Sequence, residues 1–145
     1  MANSEISFKS SDATLAYLLL RATMGMNIMM HGLSRLLSGE SKFLGSLMQT
    51  FQGSPLPQSL VLGFATALPW IEAAIGFLVL TGLKTRTALT AGGVLMIVLT
   101  FGVTLRQNFE AAGLQLPYAL VFALLLAAAS ANRYSLDSWL LHRKS

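Results

Sequence analysis

The chain has no cysteine. That absence excludes disulfides, thiol redox relays and cysteine-held zinc or iron–sulfur sites within it. Charge is also scarce: 11% of the 145 residues are Asp, Glu, Lys or Arg, against about 25% in an ordinary soluble domain. Histidine occurs only as His31 and His142, which sequence order assigns to opposite ends of the fold, so a histidine pair holding haem is not expected. Glu72 and His31 are the only good metal ligands near one another, and a metal site usually takes three or more. There is no P-loop, dinucleotide fingerprint or nucleophile elbow. The net charge of +4 calls for no nucleic acid, because basic residues at the ends of membrane spans account for it.

What the chain has is hydrocarbon. With 54% hydrophobic residues and a mean hydropathy of +0.62, its natural solvent is the lipid bilayer. The length accommodates about four spans of about 20 residues with short connections. The expected fold is all-α, an integral membrane four-helix bundle in a single domain over 1–145, with spans at about 13–37, 59–83, 87–105 and 116–131. The first apolar stretch contains Arg21, Asn27 and His31 and lacks a clean small-residue cleavage pattern. It reads as a retained span.

Between the first two spans, Gly39, Gly53, Pro55 and Pro57 supply turn chemistry, while Phe43, Leu44, Leu47, Met48 and Phe51 recur at helical spacing. That pattern predicts a short interfacial helix. Residues 82–86 form a tight antiparallel connection, and 106–115 a polar one that closes on Pro117, a residue suited to the first turn of a helix. An even number of spans puts both termini on one side. Lys9, Lys84, Arg86, Arg133, Arg143 and Lys144 share that side, against Arg35, Lys42 and Arg106, so the termini are expected in the cytoplasm and the protein in the inner membrane. Rows of small residues at spacings of four predict the helix seams: Ala119, Ala123, Ala127 and Ala131; Ala88 and Gly92; Gly63 and Ala67.

The polar groups in these spans are the candidate site. Glu72 lies near the middle of the second span, on the face of Ala65, Leu68, Gly76 and Val79. On the first span Arg21, Asn27, His31 and Arg35 fall within an arc of roughly 120°. A charge facing hydrocarbon costs at least about 2.5 kcal/mol, so this face should turn inward. Counted from the span ends, Arg21 and Glu72 differ in depth by about 5 Å, which predicts a bidentate Arg21–Glu72 pair. Arg35 and Arg106 then form a cationic outer mouth near His31, or simply anchor the span ends by snorkelling. Pro69 frees the Ala65 carbonyl beside Glu72, and Trp70 offers an indole N–H at the same depth. The candidate catalytic residues are Glu72, His31 and Arg21; the candidate ligand-binding residues are Asn27, Pro69, Trp70, Arg35 and Arg106. The Arg21–Glu72 pair also has a purely structural reading, as glue between two helices.

Three stretches resemble a known family. Leu20-Arg21-Ala22-Thr23-Met24-Gly25 followed by His31-Gly32-Leu33-Ser34-Arg35-Leu36, then Leu68-Pro69-Trp70-Ile71-Glu72-Ala73-Ala74-Ile75-Gly76 with the turn at 82–86, and finally Asn132-Arg133-Tyr134-Ser135-Leu136-Asp137 are similar in order and spacing to the DoxX family. Arg35 stands where many of that family carry lysine. The resemblance implies a small four-span membrane protein, in a family named for a subunit of a thiosulfate:quinone oxidoreductase.

Three functions fit these readings. The first is a membrane redox component that handles a quinone: Glu72, His31 and Arg21 supply polar partners and a proton route, and Trp70, Met24 and Phe64 line a slot. An anionic donor would suit the Arg35/Arg106 mouth, and a partner redox subunit or bound cofactor would complete the electron path. The second is a small-solute or proton-coupled transporter subunit, working as a homo-oligomer. The third is a non-catalytic accessory subunit that docks into a larger membrane complex.

Overall fold

A computed structural model describes residues 10–143. Among them are six α-helices and no strand: α1 (Ser10–Leu37), α2 (Glu40–Thr50), α3 (Gln58–Thr81), α4 (Thr85–Leu105), α5 (Phe109–Ala127) and α6 (Leu136–His142), with a 3-10 turn at Ala129–Ala131 before α6. Helices α1, α3, α4 and α5 are long and apolar enough to cross a bilayer. The fold is an integral membrane four-helix bundle. α2 is the interfacial helix, with Phe43, Leu44, Leu47 and Met48 half-buried and Lys42, Gly45, Ser46 and Gln49 exposed.

The most extensive pairing joins α1 to α3, followed by α4 to α5; α3–α4 and α1–α5 meet more lightly. Backbone proximity makes the first pairing possible. A Cβ on Gly25 would collide with the backbone of Leu80, one on Gly32 with the Pro69 carbonyl and Ala73, and one on Gly76 with the backbone of Met29. With no side chain between them the two helices gain dispersion contacts along their length, which is the main attraction available in lipid. The core continues from Met24 and Ile28 of α1 through Leu68, Ile75 and Val79 of α3 to Leu89 and Met96 of α4 and Phe122 and Leu125 of α5.

The seams differ in part from the expected rows. Ala88 and Gly92 are buried, as the spacing predicts, but Gly63, Ala67, Ala123 and Ala127 are exposed. α5 packs with its large residues: the Phe122 ring occupies the space above Gly92. A bulky side chain filling a notch gains more contact than two small rows meeting, and it leaves Ala123 and Ala127 outside while Ala119 and Ala131 pack against the core.

The turns explain where helices stop. Gly82, at φ 70°, ends α3, donating to Leu78 O at 3.0 Å while Leu83 N–H also reaches Leu78 O at 3.0 Å. This is a left-handed cap that few residues other than glycine adopt without strain. α5 begins at Phe109, seven residues earlier than the span expected at 116, because the Asn108 side chain accepts from Ala111 N–H at 3.0 Å and caps it. Pro117 therefore sits inside α5 and not in its first turn. At the other end, α5 gives way after Ala127 to the tighter 3-10 turn.

Replacing Gly32 or Gly76 with alanine should cost about 1–3 kcal/mol by overpacking, read as a lower unfolding midpoint in detergent. Gly113→Ala, where a Cβ meets nothing, should be neutral or gain the ~1 kcal/mol of helix propensity. Equal effects at all three positions would contradict backbone contact as the basis of the α1–α3 pairing.

Candidate functional site

Glu72 is buried, at 4% exposure, on the inner face of α3. Its partner is Arg35: Nη1 donates to Oε2 of Glu72. The same guanidinium lies over the Phe43 ring of α2, 4.8 Å from its centroid. One carboxylate thus draws together α1, α2 and α3. Arg35 keeps 28% of its side chain exposed, so the pair lies at the boundary of the bundle, where the guanidinium stays partly solvated and the carboxylate does not.

The predicted Arg21–Glu72 pair does not form. Arg21, at 2% exposure, donates from Nη1 to the carbonyls of Val79 (2.6 Å) and Leu80 (2.8 Å), and from Nη2 to the carbonyl of Tyr134 (2.8 Å). It satisfies carbonyls at the C-terminal end of α3 and sets a positive charge at the negative end of that helix's dipole. Counting depth from span ends fails because the glycine contacts slide α1 along α3 by about nine residues, roughly 14 Å. The slide carries Arg21 past Glu72 and brings Arg35 level with it.

The other candidates separate. His31, one turn before Arg35, is exposed and meets the Tyr118 ring of α5 edge-on at 6.5 Å between centroids. Asn27 is also exposed and lines a cleft of about 220 Å³ between α1 and α5 with Thr23, Met24, Pro117, Tyr118 and Val121. The polar face of α1 therefore does not turn wholly inward: Arg21 is buried and Arg35 half-buried, while Asn27 and His31 look toward the light α1–α5 contact. Pro69 is buried, its carbonyl against Gly32. Trp70 is 62% exposed; one residue on from Pro69, it is turned about 100° away from the inner face, so its indole is not beside Glu72. Arg106 is exposed and lies 5.5 Å from the centroid of Phe51. It does not join Arg35 in a common mouth, because Arg35 is held inward by Glu72.

Compared with known families, the model described as methylamine utilisation protein MauE matches residues 13–113. The chain belongs to the MauE family. No curated protein and no solved structure matches it. Membership of the MauE family overturns the DoxX assignment, and the geometry accounts for the misleading likeness. Arg21, Gly25, Gly32, Gly76 and Gly82 are what close antiparallel packing of helices requires, and such short motifs express architecture more than ancestry. The MauE match takes in Arg21, Asn27, His31, Arg35, Glu72 and Arg106, and ends within α5.

Beyond the matched stretch lies a cluster that sequence reasoning missed. Asp137, in the first turn of α6, accepts from Lys84 N–H and Thr85 N–H at 2.7 Å each, and its own N–H donates to Gly82 O at 3.0 Å. The carboxylate caps α4 from another element, which is needed because Lys84 stands at the N-cap and has no acceptor side chain. The Asn132 amide donates to Thr85 Oγ1 at 3.0 Å. The signal was a helix start without Ser, Asp or Asn, together with an unassigned aspartate downstream. Burial pushes the Asp137 carboxyl up, but the Thr85 and Lys84 amides and the Arg21 charge outweigh it and hold the carboxyl below its ordinary value.

A carboxyl depressed in the folded state lends stability above its unfolded pKa of about 3.9, and that stability disappears as pH falls toward the lower folded value. Asp137→Ala should cost about 1–2 kcal/mol at pH 7, the range of a lost helix cap. The variant's deficit in detergent should shrink between about pH 5 and pH 3. A deficit independent of pH would show that the charge of Asp137 contributes nothing.

Proposed function

We propose that this chain is an accessory membrane protein of methylamine utilisation that holds a transmembrane helix of a different protein in the cleft between α1 and α5. Membership of the MauE family points to the process. Asn27 points to the role. It lies within about a turn of the middle of α1, it is exposed, and its side-chain amide has no hydrogen-bond partner among the described residues. An amide facing acyl chains forgoes hydrogen bonds that a neighbouring helix would supply, and such bonds are worth about 0.6–2 kcal/mol in membranes. Thr23, Tyr118 and His31 extend the same strip.

The quinone-linked redox reading is the weaker one. Its three slot residues diverge: Met24 borders the α1–α5 cleft, Phe64 the opposite cavity beneath α2, and Trp70 the periphery. Glu72 is engaged by Arg35, which suits a structural charge pair in an accessory subunit. We take the membrane to be the inner one and the end bearing Lys84, Arg86, Arg133 and Arg143 to be cytoplasmic. The opposing end carries Lys42, Arg35 bound to Glu72 and Arg106 stacked on Phe51; Lys9 and Lys144 lie outside the described residues.

A photo-crosslinking residue at position 27, in cells growing on methylamine, should capture one defined membrane protein, while the same probe at the exposed Ala91 of α4 captures only lipid. Asn27→Leu should weaken that association about 3- to 30-fold with the unfolding midpoint unchanged. Capture of lipid alone at position 27, capture of a second copy of this chain, or undiminished growth on methylamine after deletion would each sink the proposal.

A further inference from the structure

We propose that the cavity beneath α2 is a binding site for one hydrocarbon chain of an anionic membrane lipid, with the lipid headgroup held at Arg106. α2 packs on α3, and its last turn and the segment after it border the gap between α3 and α4, two helices that meet only lightly. Leu47 of α2, Phe51 and Leu56 just after it, Phe64 and Leu68 of α3, and Val98 and Gly102 of α4 line a cavity of about 580 Å³. The volume is that of a small-molecule site. Every side chain lining it is apolar or absent, so a polar solute would lose its hydrogen bonds on entry, whereas an acyl chain would lose none.

The mouth is of the opposite character. Arg106 follows α4 directly, four residues beyond Gly102, and stacks over Phe51, itself part of the cavity wall. No carboxylate lies within ion-pairing distance of Arg106 among the described residues. A phosphodiester at this height would give the guanidinium its counter-charge. An apolar cavity with a cation at its mouth matches the two halves of an anionic lipid. This site lies on the opposite side of α3 and α4 from the helix-docking cleft, and it stands or falls independently of it.

Gly63 borders the cavity, and a Cβ there meets nothing within 4 Å, so a leucine at that position occupies the lipid's space without displacing a helix. The full chain, purified in mild detergent, is offered phosphatidylglycerol and phosphatidylcholine with identical acyl chains, and bound lipid is counted by native mass spectrometry. The wild type should retain phosphatidylglycerol about fivefold over phosphatidylcholine, the preference one basic residue near a lipid surface confers. Gly63→Leu should lose retention of both lipids, and Arg106→Gln should keep the lipid but lose the preference. Val98→Phe, which fills the cavity from α4, serves if the Gly63 variant does not fold. Equal retention of the two lipids by the wild type, undiminished retention in the filled variants, or competition by glycerol phosphate without acyl chains would overturn the proposal.

Discussion

Two helix backbones in contact set the terms for everything polar in this bundle. Where Gly25, Gly32 and Gly76 remove the side chains between α1 and α3, the register of the pair is fixed to within a residue, because a slide in either direction drives a Cβ into a backbone. That register decides the partner of each charge. Arg21 arrives at the end of α3, where unpaired carbonyls await a donor, and Arg35 arrives opposite Glu72. Neither arginine could exchange roles with the other without breaking the glycine contacts. The charged groups are consequences of the packing and also lock it: a shifted register would leave the Glu72 carboxylate and the Leu80 carbonyl without their arginine partners in lipid, at several kcal/mol for each such group.

This dependence explains what could and could not be read from the sequence. The four spans and the interfacial helix follow from hydropathy and periodicity, which are properties of single segments. The inward face of Glu72 follows too, since Ala65, Leu68, Gly76 and Val79 recur with it at helical spacing and all are buried. The identity of its partner does not. Pairing depends on relative depth, and depth counted from span ends assumes that both helices start level with the membrane surface. α1 and α3 do not, and the glycines that displace them carry no mark of distance. Pro117 misled for a related reason: proline suits a first turn, but Asn108 offers an acceptor side chain to the backbone earlier in the chain and begins the helix there. The DoxX-like order of motifs reflected the same packing requirements, and only comparison over more than a hundred residues assigned the MauE family.

The two ends of the bundle are built differently, and the difference bears on where partners can act. At the end bearing α6, Arg21, Asp137 and Asn132 tie α1, α3, α4 and the tail through hydrogen bonds of 2.6–3.0 Å. Loosening any one would strand helix-terminal groups, so this end is suited to holding the four spans in fixed relation. The α2 end has fewer such ties. There an ion pair with a ring beneath it secures α1 to α2 and α3, and a second arginine rests on a ring, with no ionic partner among the described side chains. Hydrophobic contact and cation–π attraction hold this end, at about 0.5–2 kcal/mol for each such arginine.

An interfacial helix held by attractions of that size can respond to what lies beneath and beside it. Arg35 is the link: it contacts Glu72 in the core and Phe43 on α2, so displacement of α2 changes the surroundings of the buried carboxylate of α3. Arg35 follows His31 by one turn of α1, and His31 in turn meets Tyr118 of α5 at the rim of the cleft that exposes Asn27. Arg35 and His31, one turn apart on α1, therefore stand between α2 and the rim of the α1–α5 cleft. Contiguity alone does not make coupling; that requires an element with two arrangements. α2 is the element whose attachments are weak enough to have them, whereas the Asp137 end, where Arg21 and Asp137 bond the termini of α3 and α4, is the fixed frame against which such a change would be felt.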